Sequence, residues 1–121
     1  MADLGRPNGK VPDESPAAAV ERLAGELEGV RRRERGSAVE FDRAGVVFAT
    51  LEIGRLSFRL RAEVAEVALR TPETARSAGG DGWVALTSVG TDQFTVDRAS
   101  AWFESAWRLA GDLPAPGGPP N

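Results

Sequence analysis

The chain has 121 residues, 41% of them hydrophobic and 27% charged, enough apolar material for one core and too little for two. Its formal charge of −3 and pI of about 5.0 exclude attraction of the whole molecule to a phosphate backbone, so contact with nucleic acid needs a local basic patch. Histidine, cysteine and tyrosine are absent, which excludes a Ser-His-Asp triad, a thiol nucleophile, disulfides and the common zinc ligands.

Residues 1–14, MADLGRPNGKVPDE, mix glycine, proline and charge without periodic apolar positions, and are expected to form a flexible tail. The lone lysine, Lys10, lies in it. Ser15-Pro16 is a helix-start pair: serine accepts from an early backbone N–H, and proline in the first turn gives up a donor that has no partner anyway. Val20, Leu23, Leu27 and Val30 then recur at helical steps, until Gly29 and the charged run RRRER end the periodicity. Arg31, Arg32, Arg33 and Arg35 are expected in a loop.

AVEFD, residues 38–42, alternates, and GVVFATLEI, residues 45–53, is a β-branched and aromatic run; the turn Arg43-Ala44-Gly45 makes them a hairpin. After a turn at residues 52–55, RLSFRLR alternates cleanly, which predicts a third strand and completes a meander. Residues 62–70 return to helical spacing, with Val64, Val67 and Ala68 on one side, until Thr71-Pro72 closes the helix. PETARSAGGDG reads as a loop and WVALTSV, residues 83–89, as a fourth strand. From Thr95, an N-cap, a helix is predicted to Gly111, with Val96, Ala99, Trp102, Phe103, Ala106, Trp107, Leu109 and Ala110 inside an arc of about 160°. The ending DLPAPGGPPN, residues 112–121, reads as a second flexible tail, which leaves residues 15–111 as a single domain.

The order α-β-β-β-α-β-α predicts an α+β fold: an antiparallel four-stranded sheet, three strands in a meander plus a fourth, with the N- and C-terminal helices packed on one face. No apolar run approaches the ~18 residues of a membrane span and no signal-like start is present, so the expected compartment is the cytoplasm. For chemistry, carboxylates remain: Glu40 and Asp42 share one strand face, with Glu52 on the neighbouring strand. Such a set can hold magnesium, but an alternating strand also puts charge on its wet face, and no metal or other cofactor is expected. GGDGW lacks the pattern of a P-loop or dinucleotide site. Trp102 and Trp107 lie on the apolar arc and read as core; Trp83, at a strand start after glycines, reads as core or as an aromatic contact surface for a base.

In their order, Gly45-Val-Val-Phe-Ala-Thr-Leu51, Arg55-Leu-Ser-Phe-Arg-Leu60, Gly82-Trp83-Val84 and Ala106-Trp107-Arg108 resemble the MmcQ/YjbR family of small bacterial proteins. The resemblance spans roughly residues 20–110. It implies a small module that is often described as DNA-binding, with no catalytic set. A second resemblance, to the luciferase-like domain proteins of bacteria, rests on the Gly-Trp-Val strand and the apolar final helix.

With Leu56, Phe58 and Leu60 turned to the helices, Arg55, Arg59 and Arg61 stand on the open face, neighbouring same-side positions being about 6.8 Å apart, a spacing similar to that of phosphates along a strand. Joined by Arg31, Arg32, Arg33 and Arg35, they form a candidate nucleic-acid surface. Glu40, Asp42 and Glu52 are placed to neutralise it across the sheet. The two readings are DNA binding through the arginine-rich face, and a non-enzymatic protein-interaction or self-associating scaffold with no nucleic-acid role.

Overall fold

The computed structural model describes residues 14–71, 74–77, 80, 82–87 and 93–113. The serine-proline pair starts α1 (Pro16–Glu26) as its chemistry requires: Ser15 is extended and its Oγ accepts from the Ala18 N–H at 3.1 Å, while Pro16 fills the first turn. The helix stops at Glu26, and Gly29, at a φ of +77°, turns the chain so that Val30 opens a strand instead of closing the helical stripe.

That strand is β1 (Val30–Arg35), followed by β2 (Ala38–Arg43), β3 (Val46–Glu52) and β4 (Arg55–Arg59), then α2 (Ala62–Ala68), β5 (Thr74–Arg76), β6 (Trp83–Thr87) and α3 (Gln93–Gly111). All strands are antiparallel, in the sheet order β1-β2-β3-β4-β6-β5. The α+β class stands, with six strands instead of four. The arginine run expected in a loop is an edge strand, and the segment expected as a loop after Thr71 contains the other edge strand, β5. The last helix begins at Gln93, so Thr95 is a buried residue of its first turn and not its cap. Residues 1–13, 72–73 and 114–121 lie outside the described residues, as do residues 88–89 of the predicted fourth strand. Glu14 pairs with Arg22 at 2.9 Å, and Leu113 packs against the core.

Cross-strand partners share a face, so the register divides the sheet. Val39, Leu51 and Leu56 lie toward the helices, as do Phe41, Ala49, Phe58 and Val84. A bulge between Phe41 and Asp42, where Phe41 faces Ala49 and Asp42 faces Val47, places Phe48 and Ala49 together on the core side. The core closes around Phe103 of α3, whose ring lies 5.3 Å from Phe41, edge-on, and 5.1 Å from Phe48; Trp102 meets Phe58 at 6.2 Å. Aromatic burial on this scale is the main driving force of so small a fold. Among the described residues no helix is long and apolar enough to cross a membrane.

Candidate functional site

The sheet face opposite the helices is uncovered by any described element. One row runs straight across all six strands: Arg33, Glu40, Thr50, Ser57, Ala85 and Ala75 face one another in turn. Its middle is small and uncharged. On one side lie Arg35 and Ala38, then Glu52, Arg55 and Thr87; on the other lie Arg31, Asp42 and Val47, then Arg59 and Trp83. Between these rows the twisted sheet leaves a hollow of about 480 Å³, with Ser57 and Thr50 at its floor and Glu40, Glu52, Arg55, Ser77 and Trp83 around it.

The arginines that alternation placed on one surface are divided. Arg31 Nε lies 3.4 Å from Asp42 Oδ2, and the buried Asp42 carboxylate also accepts from the Gly45 N–H at 3.2 Å. Arg33 Nη2 and Arg35 Nη1 share Glu40 Oε1, at 3.6 and 3.9 Å. Arg55 Nε faces Glu52 Oε1 at 3.7 Å. Arg59, across from Trp83, has no carboxylate within ion-pair distance among the described residues.

Two members leave the face. Alternation within β1 turns Arg32 to the helix side, where it donates to both oxygens of Glu21, at 2.8 and 3.0 Å, and to Glu34 at 3.1 Å. The bonds to Glu21 lead in raising its pKa above the ordinary arginine value. Arg61 follows the buried Leu60 out of the strand, becomes the residue before α2, and pairs with Asp112 beyond the end of α3. Its period-two position is lost because the strand ends at Arg59. The open face thus carries Arg31, Arg33, Arg35, Arg55 and Arg59 against Asp42, Glu40 and Glu52, a surplus of about two positive charges. Exposed pairs of this kind are individually weak, but they set the sign of the local field.

The tryptophans separate too. Trp102 and Trp107 pack against the core, as the apolar arc requires. Trp83 is not a core residue: it is half-buried on the open face and walls the hollow. Beside it, Ser77 Oγ donates to Ser57 Oγ at 3.3 Å. Glu40 Oε1 is fully buried at the edge of the hollow, and no donor among the described residues completes a hydrogen bond to it. Each of the three carboxylates faces a guanidinium, and among the described residues no group of three or more metal-ligating side chains converges.

Val47, Thr50, Ser57 and Ser77 escape the sequence reading of this site. Ser57 has a legible signal, a small neutral residue between Arg55 and Arg59 on the same strand face; Ser77 has none, because β5 is too short to show alternation. Neither a protein-family model, nor a curated protein, nor a solved structure matches the chain, so its functional reading rests on the geometry of this face.

Proposed function

We propose that the chain is a non-enzymatic binding module that works through the open face of its sheet, and that the face meets a charge-balanced partner such as a protein surface instead of a nucleic-acid backbone. The observation that carries this reading is the pairing of Arg31, Arg33, Arg35 and Arg55 with Asp42, Glu40 and Glu52. A small, neutral centre ringed by paired charges offers a phosphate backbone little to hold, and paired charges at a protein-facing rim set orientation more than affinity. The sequence supports binding over catalysis, since it supplies no side chain that titrates near neutrality as a general base. The MmcQ/YjbR resemblance brings no catalytic set, and the DNA binding it implies is the alternative reading.

Magnitude weighs against the phosphate-binding alternative. A surplus of about two charges gives a log–log salt slope near −1.8, at ~0.9 per phosphate neutralised, where an unpaired patch making about four contacts gives about −3.6. The two surplus sites also sit apart, one on β1 and one on β4. Fluorescence anisotropy with a 20-nucleotide single strand and its duplex, from 20 to 200 mM salt, tests this. The reading predicts no saturable binding at micromolar protein in 150 mM salt and a slope no steeper than about −2; micromolar binding with a slope of −3 to −4, lost in Arg33→Ala, would overturn it.

A further inference from the structure

Arg59 differs from the other arginines of the open face in two ways. Arg31, Arg33, Arg35 and Arg55 are exposed, and each lies within 3.9 Å of a carboxylate oxygen. Arg59 is half-buried and has no such partner among the described residues. The least exposed of the five is thus the one without a counter-ion, the reverse of what solvation favours, since burial of a charge calls for a partner.

Its neighbours do not supply one. The Leu60 N–H donates to the Gly82 carbonyl at 2.8 Å, which makes Arg59 and Trp83 a non-hydrogen-bonded pair of the β4–β6 ladder, the kind whose side chains stand closest. The guanidinium is nevertheless not stacked on that ring; among the described residues the arginine that lies over an aromatic face is Arg43, on Trp107. The next side chain of this face along β4 is Ser57, uncharged and bonded to Ser77. Asp42 and Glu40 are held by Arg31, Arg33 and Arg35. A forked set of N–H donors is left uncommitted beside an indole ring.

One unpaired guanidinium calls for one negative charge, and a carboxylate meets its fork with two oxygens. A phosphate group brings nearly two charges, and the other surplus charge of the face lies away on β1. The ring calls for an apolar neighbour to that carboxylate. Arginine and tryptophan are also the residue types in which the binding energy of protein interfaces concentrates.

We propose that Arg59 and Trp83 form the anchor by which the open face grips its protein partner: a glutamate or aspartate of the partner takes the guanidinium, and an adjacent apolar side chain of the partner covers the Trp83 ring. The proposal rests on the open face being a protein-binding surface, and names the charge that the partner brings to it.

Its test is a titration of the ¹⁵N-labelled full chain, in 50 mM salt, with a capped glutamate-phenylalanine dipeptide up to 20 mM. The glutamine-phenylalanine and phosphoserine-phenylalanine dipeptides serve as neutral and phosphate counterparts. The glutamate peptide is expected to shift the Arg59 Nε–H and Trp83 indole resonances saturably, and to bind at least about tenfold more tightly than the glutamine peptide. Arg59→Gln is expected to erase that preference while melting within about 2 °C of the wild type, because no ion pair is lost. Arg108→Gln, which removes the same charge from α3, is expected to keep it. No saturable shift with the glutamate peptide in the wild-type chain would overturn the proposal, as would equal binding of the glutamine peptide or tighter binding of the phosphorylated one. Failure here leaves the charge-balanced face standing, because that reading is decided separately by the oligonucleotide salt slope.

Discussion

The guanidinium of Arg43 lies 4.2 Å above the ring of Trp107 and donates from Nη1 to the Trp107 carbonyl at 3.0 Å. One side chain at the end of β2 thus holds both the ring and a carbonyl near the end of α3, while Trp107 Nε1 donates to the Glu28 carbonyl at 2.8 Å and ties in the turn before β1. Gly111 leaves room for this: a Cβ there would meet Arg43 Nη1 and come within 2.7 Å of Cζ. Arg43→Ala is expected to cost about 2–3 kcal/mol, from a charge-assisted hydrogen bond, a cation–π contact and lost stem packing. Arg43→Lys recovers less than half, because an ammonium does not stack flat. Urea denaturation measures both.

Glycine is required at position 82 for a different reason. It sits at φ +83°, and a Cβ would stand 2.7 Å from the Leu60 carbonyl oxygen, which is backbone and cannot swing away. Gly82→Ala is expected to cost more than about 2 kcal/mol, against about 1 kcal/mol for Gly54→Ala, where φ is also positive but the space is open. Ala44, a non-glycine residue at φ +54° beside Gly45 in a two-residue hairpin turn, should gain stability, by about 1 kcal/mol, on Ala44→Gly. Melting temperatures of the three variants order these effects.

Asp42 is buried, accepts from the Gly45 N–H and faces Arg31. Asp42→Asn keeps an acceptor for the turn amide and is expected to cost under about 1 kcal/mol; Asp42→Ala leaves that amide unpaired and is expected to cost about 1–3 kcal/mol. If the two variants melt together, the turn bond is not what holds Asp42 in place.

With no histidine or cysteine, no side-chain type that ordinarily titrates between pH 6 and 8 is present, and stability is expected to be flat across that range. At the acid end, Arg22 donates to Glu14 and holds its carboxyl below the ordinary carboxylate value. A depressed carboxylate stabilises the fold above its unfolded pKa and loses that contribution as pH falls through its folded one, so Glu14 adds a small loss below about pH 4.3. Glu14→Gln should therefore flatten the acid limb of a pH–melting curve slightly and leave the neutral region unchanged.

The core was legible because burial imposes period. Leu56, Phe58 and Leu60 faced the helices as their alternation required, and the apolar arc of residues 96–110 became α3. The edges were not. Val30–Arg35 has a single apolar residue, both its faces being charged, so no hydrophobic alternation marks it; it is a strand because β2 offers it a ladder and complementary carboxylates. Its signal was the glycine turn at Gly36 with arginines on one side and Glu40 and Asp42 on the other. The divided arginine row failed at Arg61 because period two continues only while the strand does. The bare oxygen of Glu40 leaves no trace in sequence, being set by distances of 3.6 and 3.9 Å.

The central claim is that four of the five arginines of the open face are paired with carboxylates of the same face, and the salt dependence of stability tests it without any ligand. A row of unpaired arginines repels itself and gains from screening, whereas paired charges gain nothing. The wild-type melting temperature is expected to stay within about 2 °C between 20 and 300 mM sodium chloride, while Glu40→Gln, which leaves Arg33 and Arg35 facing each other, melts lower at 20 mM and recovers with salt. A wild-type chain that itself gains several degrees with salt, and a Glu40→Gln variant that behaves no differently, would contradict the account.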